Sequence, residues 1–245
     1  MAWSWRVDER SGDASGLHAG WPTVELSPEV PTVGVCTVRS RAVVLGSTQP
    51  DQVIDPDRAT AAGLAVTRRR SGGGAVLVTP DDPAWVDVWV PADHPLWRRD
   101  VSRAFDWLGD AWVDALGSLG VTGLAAHRQG FVPCTRWSAL VCFGGVGTGE
   151  VITDDGRKVV GLAQRRNRQG AWFHGACVLR WDPRPLVDVL ALPADEREAA
   201  AEGLSRAVAG VADLTPERGG PGRSGAPVVD RAAIAAALID SLPSR

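Results

Sequence analysis

The chain has 245 residues, of which 44% are hydrophobic, and a formal net charge of −3. This size and composition suit one large globular unit with a well-filled core, and the acidic balance argues against a protein that coats nucleic acid. No run of about eighteen apolar residues is present, so no membrane partner is expected, and the N-terminus has no secretion signal. Cys36, Cys134, Cys142 and Cys177 lack C-x-x-C spacing and a companion histidine pair, which predicts structural or free thiols, no metal site and a cytoplasmic location.

The N-terminal half of the chain predicts mostly strands. Turn-bounded runs rich in β-branched residues predict strands at 32–38, 41–46, 64–70, 74–80 and 84–91. The third and fourth of these strands should meet at the Ser71–Gly74 turn, and the fifth is predicted from period-two alternation. Between the second and third strands, Asp55 as N-cap and Pro56 at the first helical position predict a short helix that ends at Gly63.

The C-terminal half combines one long helix with more strands and two terminal helices. Apolar residues at three- and four-residue spacing predict a helix from about 98 to 119, and strands are predicted at 137–143, 149–153, 157–166 and 171–181. Alanine-rich helices follow at 195–211 and 230–242, separated by a mobile Gly/Pro loop at 217–227. Too few residues follow that loop to form a domain, so we expect a single domain over 1–245. The pattern predicts an α+β fold with mixed or antiparallel sheets packed with helices.

The first segment with a chemical signature is TRRRSGGGAVLVTP, residues 67–80. Gly72, Gly73 and Gly74 can expose backbone N–H groups, and three arginines at 68–70 bring cationic donors to the same place, which favours an anionic ligand. The segment is neither a Walker A loop nor a G-x-G-x-x-G fingerprint, because a strand follows it. The competing interpretation is an ordinary tight turn beside solvated arginines.

The second such segment covers residues 142–175. Lys158, the only lysine in the sequence, follows a DDG turn at the head of a predicted strand, and His174 ends the next strand. A lysine that points from a strand into a pocket can stabilise a developing oxyanion or a phosphate. The competing interpretation is a surface lysine in a hairpin.

Together the two segments resemble the lipoate–protein ligase A / octanoyltransferase family, which is related to the biotin protein ligases. The family pattern R-R-x-[ST]-G-G-G-A-V corresponds to residues 68–76, and G-[RK]-K-[IV]-x-G-x-A-Q followed by H-G corresponds to 156–164 and 174–175. Both motifs occur in the family's order, so chance is a poor explanation. The resemblance covers about residues 30–182 and implies a catalytic domain of the biotin/lipoate ligase type.

The resemblance also implies roles for individual residues. Lys158 would contact the acyl carbonyl and, in the ligases, the oxygens of an acyl-adenylate. The implied substrate- or adenylate-binding residues are Arg68, Arg69, Ser71, Gly72, Gly73, Gly74, Ala75, Gly161, Ala163 and His174. A lipoyl or octanoyl group would then be passed to a lysine of a lipoyl carrier domain or of a glycine-cleavage H-type protein.

Three functions stay open. The first is a lipoate–protein ligase that uses ATP and Mg²⁺ to form an acyl-adenylate, and we place it first because the glycine triplet and Lys158 are intact. The second is an ATP-independent octanoyltransferase with acyl carrier protein as donor, no cofactor and Cys142 as the nucleophile. The third is a non-catalytic member that binds an acyl or adenylate ligand. Lipoate, octanoate and biotin are not distinguished by the motifs.

Two departures and one match favour the transferase. Ser47 stands where ligases of the family have an arginine, and residues 81–91 replace the family's G-N-L-N segment, with Asp87 as the nearest polar substitute. Cys142, followed by Phe143 and, eight residues on, by Glu150, has the spacing of octanoyltransferases with a cysteine nucleophile. The alternative for Cys142 is a small buried hydrophobic residue, which is also how we interpret the other three cysteines.

Overall fold

The computed structural model describes residues 3–19, 29–215 and 229–244. In these ranges the strands are β1 (Arg6–Gly12), β2 (Thr32–Val38), β3 (Ala42–Leu45), β4 (Ala65–Arg68), β5 (Val76–Val78), β6 (Ala84–Pro91), β7 (Leu124–Ala126), β8 (Val132–Pro133), β9 (Gly145–Val146), β10 (Val151–Thr153), β11 (Lys158–Arg166) and β12 (Gly170–Cys177). The helices are α1 (Ala14–Ala19), α2 (Pro56–Ala61), α3 (Asp106–Ser118), α4 (Arg184–Val187), α5 (Ala194–Ala207), α6 (Val211–Leu214) and α7 (Arg231–Ser241).

The main sheet has the strand order β1-β2-β6-β12-β11-β10-β7. Its β1–β2 pair is parallel and the other pairs are antiparallel, so the sheet is mixed, as the sequence predicted. Strand β6, which lies between β2 and β12, is buried at all eight positions because both faces of the sheet are covered. The predicted strand is therefore confirmed, but its period-two pattern does not produce a solvent-facing side.

Different elements cover the two faces. On one face α3 and α7 pack against the valines of β6, with Leu108, Trp112 and Leu238 in the same cluster. On the other face α1 and the small sheet pack around Trp85. The long helix is shorter than predicted, since a 3-10 turn at Arg103–Phe105 precedes α3. Its apolar stripe is buried, as the spacing of its residues indicated.

The small sheet has the order β4-β3-β5. The prediction that the strands at 64–70 and 74–80 meet directly was wrong. The strand β3 lies between them, parallel to β4 and antiparallel to β5. The glycine segment between β4 and β5 therefore crosses the end of β3 instead of forming a two-strand hairpin.

The segment at 137–143 is not a strand, contrary to the prediction. It consists of turns followed by a 3-10 turn at Cys142–Gly144, with a single bridge between Ala75 and Val141. Trp137 and Val141 are buried against α5. A short apolar run can be buried either as a strand or as turns packed between two elements. The spacing of its apolar residues does not distinguish the strand from the turns.

The predicted helix at 195–211 is two helices, α5 and α6. They are separated where Val208 bridges to Lys158 and the Ala209 N–H donates to the Lys158 carbonyl at 3.0 Å. Asp230 caps α7 through a 2.8 Å hydrogen bond from the Ala233 N–H.

The predicted loop at 217–227 lies outside the described residues, and the single domain over 1–245 stays a prediction. Within the described ranges, the helices are too short or too polar to cross a bilayer.

Candidate active site

The glycine segment positions the backbone of Cys142. The Ala75 N–H donates to the Leu140 carbonyl at 2.7 Å, and the Cys142 N–H donates to the Ala75 carbonyl at 3.0 Å. A Cβ on Gly74 would lie 2.6 Å from the Cys142 nitrogen. Gly73 has φ +98°, and its carbonyl oxygen lies only 1.9 Å from where a Cβ on Gly46 would be. Close backbone approach therefore explains Gly74 and Gly46, and the positive φ explains Gly73.

The arginines before the triplet bind carbonyl groups of the protein. Arg68 donates to the Gly46 carbonyl at 2.7 Å. Arg69 is buried and donates to the carbonyls of Gly72 at 2.7 Å and Gly74 at 2.9 Å. Arg70 donates to the Ala19 carbonyl at 2.7 Å. This arrangement favours a structural role in holding the loop, and the predicted ligand contacts of Arg68 and Arg69 stay predictions.

Lys158, the only lysine in the sequence, is buried at the start of β11. Its Nζ lies 2.7 Å from Glu150 Oε2 and donates to the carbonyls of Cys142 at 3.1 Å and Gly145 at 3.0 Å. Burial alone lowers the pKa of Lys158, but the Glu150 carboxylate and the adjacent Cys142 outweigh it, so the pKa lies above its ordinary value. The ammonium of Lys158 therefore stays charged beside the Cys142 backbone. The hairpin-surface interpretation of this lysine does not fit its burial.

Glu150 is bound on both of its oxygens. Besides Lys158, Oε2 accepts from the Gly147 N–H at 2.7 Å, and Oε1 accepts from the Leu162 N–H at 2.9 Å. These bonds join the loop before β10 to the middle of β11. The sequence pattern singled out Glu150 by its spacing from Cys142 but did not identify it as the counterion of Lys158.

Two cavities meet at Cys142. The apolar cavity, about 490 Å³ including its open mouth, is lined by His18, Val44, Arg69, Val76, Val78, Pro83, Trp85, Cys142, Phe143, Gly161, Leu162, Ala163, His174, Gly175 and Ala176. The polar cavity, about 1270 Å³ including solvent at its mouth, is lined by Thr48, Gln49, Pro50, Gly72, Gly73, Gly74, Phe131, Ser138, Ala139, Cys142, Gly145, Gly147, Glu150, Lys158, Leu162, Ala163 and Gln164. The two share Cys142, Leu162 and Ala163.

The structure thus brings most of the predicted site residues together. The glycine triplet and Lys158 line the polar cavity, whereas Arg69, Gly161 and His174 line the apolar one. Arg68, Ser71 and Ala75 line neither. The sequence interpretation missed Gln49, Gln164, His18 and Trp85 as lining residues. Gln164 ends the motif at residues 156–164, whereas no local pattern marks the other three.

The apolar cavity borders a buried polar cluster around Asp87. This residue faces His174 across β6 and β12, and His174 Nδ1 lies 2.8 Å from Asp87 Oδ1. Asp87 also accepts from Trp85 Nε1 at 2.6 Å and from Arg10 Nη1 at 3.2 Å. Burial alone raises the pKa of Asp87, but His174 foremost, then His18 and Trp85, lower it below its ordinary value. Asp87 is therefore a buried carboxylate that orients a histidine.

The mixed sheet, with helices on one face and the small sheet on the other, is the fold of a solved lipoate protein ligase. Residues 24–233 match the model of the lipoyl protein ligase A/B catalytic domain, and the chain belongs to that family. This confirms the family and the fold class inferred from the two motifs.

Individual relatives refine this comparison. The octanoyltransferase LipM of Kyrpidia tusciae is 31% identical over 144 residues, which cover 58% of this chain and 52% of LipM. The chain spans about half the length of the curated relatives it matches. The bipartite lipoate protein ligase of Thermoplasma acidophilum, solved with its E2 lipoyl domain, aligns over 98% of this chain and 82% of that one (TM-score 0.70, 19% identity). Lipoate-protein ligase A bound with ATP aligns over 98% and 84% (TM-score 0.64, 19% identity).

Proposed function

We propose that this protein transfers a medium-chain acyl group, octanoyl or lipoyl, to a lysine of a lipoyl carrier domain, with Cys142 as the nucleophile. The observation that carries the proposal is that Cys142 borders both the apolar cavity and the cavity that contains Lys158. An acyl chain in the apolar cavity would present its carbonyl carbon at this junction. The relatives named octanoyltransferase LipM support the same reaction.

The reaction has two balanced steps. The Cys142 thiolate attacks the thioester carbonyl of an acyl carrier protein, a new S–C bond forms, and the carrier's thiolate leaves and takes a proton. The neutral amine of the acceptor lysine then attacks the Cys142 thioester, an amide forms, and the Cys142 thiolate leaves while the amine loses its proton. Each step passes through a tetrahedral oxyanion that needs electrostatic stabilisation.

Lys158 supplies a fixed positive charge to this site. Glu150 and two carbonyls accept its three protons, so the ammonium acts through its charge and by holding the Cys142 backbone. A fixed cation near the reacting carbonyl stabilises the developing oxyanion. A nucleophilic thiol needs a reducing compartment, so we also propose a cytoplasmic location.

An ATP- and Mg²⁺-dependent ligase is the second candidate. The sequence analysis placed it first, and one observation favours it: the polar cavity is large, and Gly72 on its edge has open space beside it. That space could hold a nucleotide against the exposed backbone. In this reaction the acyl-adenylate is already activated, and Cys142 would have no chemical role. The ligase would require replacement contacts for the phosphate, because Arg68 and Arg69 are engaged by carbonyls.

The two candidates differ in their donor. The purified protein is incubated with a lipoyl domain and either octanoyl acyl carrier protein alone or lipoate with ATP and Mg²⁺, and the acceptor is weighed by intact mass spectrometry. We expect modification with the carrier protein and none with lipoate and ATP. The reverse result would establish the ligase. Modification under neither condition, with acyl binding retained, would indicate the non-catalytic function.

A further inference from the structure

The strand register shows which residues form the floor of the apolar cavity. Gly161 on β11 pairs with Ala176 on β12, and Ala176 pairs in turn with Trp85 on β6. All three residues line the apolar cavity. Because paired positions on neighbouring strands project to the same face of a sheet, this row presents a hydrogen atom, a methyl group and an indole in order. The floor is therefore open over β11 and β12 and is blocked over β6.

The thiol lies at the β11 end of this row. Cys142 and Ala163 on β11 line both the apolar and the polar cavity, whereas the lining residues on β12 and β6 do not border the polar one. The ring of Phe143, next to the thiol, lies 3.2 Å from where a Cβ on Gly161 would be. An acyl group on Cys142 would thus extend its chain from β11 across β12 to β6. This path covers two strand spacings, about 10 Å, which is the length of a medium-chain acyl group.

The indole of Trp85 is held firmly at the far end of the path. Its Nε1 donates to Asp87 Oδ1 at 2.6 Å, and its ring lies 4.4 Å from the ring of His18, centroid to centroid. Val44 and Val78, which also line the cavity, pack in the same cluster, and Trp85 is 5% exposed. A side chain that is bonded at its polar edge and packed by its neighbours resists displacement by a longer chain.

Apolar residues lie on the other side of this indole. The cluster that contains Trp85 also includes Ala14 and Leu17 of α1 and Cys36 and Val38 of β2. None of these four residues borders the apolar cavity. The indole therefore separates the cavity from a further apolar layer. A smaller side chain at this position would leave a void that continues the cavity, and apolar voids of about 150 Å³ stay dry and accept apolar guests.

We propose that Trp85 sets the upper limit of the acyl-chain length, so that an octanoyl group fills the path from Cys142 to β6 and longer saturated chains are excluded. This inference rests on the proposed function, because it assigns the carbonyl end of the same acyl group to Cys142. Trp85 acts on the terminal methyl group and takes no part in bond making. It is a residue that determines specificity.

The test is a series of donors of increasing length. Acyl carrier protein is loaded with hexanoyl, octanoyl, decanoyl or dodecanoyl groups, and kcat/KM for transfer to a lipoyl domain is measured. With the wild type we expect decanoyl and longer groups to be slower than octanoyl by about tenfold or more. Trp85→Val and Trp85→Leu should raise the ratio of decanoyl to octanoyl transfer by about tenfold. Partial unfolding slows all donors equally and leaves this ratio unchanged.

Two further variants separate the size of the side chain from its other effects. Trp85→Phe loses the N–H that bonds Asp87 but keeps an aromatic ring, and it should stay close to the wild-type length limit. Trp89→Val removes another buried tryptophan of β6, one that packs against Trp172 and lines neither cavity, and it should leave the ratio unchanged. A shift in Trp85→Phe as large as that in Trp85→Val would assign the limit to the bond with Asp87 and overturn the inference.

The failures are distinguishable. If the wild type transfers dodecanoyl as fast as octanoyl groups, or if the valine and leucine variants keep the wild-type ratio, the inference is wrong and the proposed acyl transfer stands. If no donor is used, the proposed function itself fails. The role of Trp85 is then decided by calorimetric titration of octanoate and dodecanoate into the wild type and Trp85→Val. Dodecanoate binding that is gained only in the variant supports the inference, and equal binding by the two proteins overturns it.

Discussion

Lys158 and Glu150 form an ion pair in which both side chains are almost completely buried, with 1% and 6% of each exposed and Nζ 2.7 Å from Oε2. The pair joins the start of β11 to the loop before β10. Through the carbonyl of Cys142 it also holds the segment that carries the thiol. A change in either partner therefore affects stability and the site together.

Lys158→Met should lower the free energy of unfolding by about 3–5 kcal/mol, because Glu150 would be left as an uncompensated buried charge. Acyl transfer should be lost as well. The double variant Lys158→Met with Glu150→Gln removes both charges, and we expect it to recover part of the stability but no transfer. Urea denaturation and the transfer assay measure the two effects. A double variant with normal transfer would show that the pair serves only the fold.

The glycine triplet offers an internal control. A Cβ on Gly74 would collide with the Cys142 backbone at 2.6 Å, whereas a Cβ on Gly72 meets nothing within 4 Å. Gly74→Ala should therefore cost about 1–3 kcal/mol and displace Cys142, with a large loss of transfer. Gly72→Ala keeps its N–H and should leave stability within about 0.5 kcal/mol. Equal melting temperatures for the two variants would contradict the packing described for the loop.

The fold class followed from the order of the predicted elements and from the two motifs, whereas the roles of the site residues stay predictions. The glycine triplet lines the same cavity as Lys158, Ala163 and Gln164 of the second motif. The pairing of β3 between β4 and β5 is a long-range choice that no local pattern encodes. The same holds for Arg10 and His18, which reach the site from β1 and α1, respectively, elements that the sequence analysis did not predict.

Two other local patterns are modified by tertiary contacts. Arginines beside glycines indicate an anion site only when their donors are free, and in the fold carbonyls of Gly46, Gly72 and Gly74 accept from Arg68 and Arg69. The apolar run at 137–143 resembled a strand, yet it winds as turns because Val141 and Trp137 must reach a core on the α5 side. In both cases tertiary contacts override the local pattern.

His18 should make the protein acid-sensitive. Burial foremost, and the nearby His174, lower the pKa of His18 from 6.5 to about 3. Below the unfolded pKa, the unfolded chain binds a proton that the folded protein does not bind. The free energy of unfolding is therefore highest above this pKa and falls as the pH drops below about 6.5. The contribution of His18 to the slope of the unfolding free energy against pH approaches about 1.4 kcal/mol per pH unit.

Denaturation curves for wild type and His18→Leu between about pH 4 and pH 7 measure this linkage. The variant should lose less stability on acidification, so the free energy of unfolding of the wild type should fall steadily relative to that of the variant below about pH 6.5. Parallel curves over this range would show that His18 carries no such penalty.

The two candidate functions make opposite demands on Cys142. A transferase needs the thiolate, and a serine hydroxyl is a far weaker nucleophile at neutral pH. Cys142→Ser should then abolish transfer from octanoyl acyl carrier protein. Cys134→Ser, a change at an exposed cysteine outside both cavities, is the matched control and should keep full activity. An ATP-dependent ligase would tolerate the serine at position 142.

The most direct test is to look for the acyl-enzyme itself. The protein is mixed with octanoyl acyl carrier protein in the absence of any acceptor, and its intact mass is recorded before and after treatment with hydroxylamine. We predict a gain of one octanoyl group on wild type and on Cys134→Ser, mapped to Cys142 by peptide analysis and removed by hydroxylamine. No adduct on the wild type, together with pyrophosphate release and acceptor modification from lipoate and ATP by Cys142→Ser, would contradict the account.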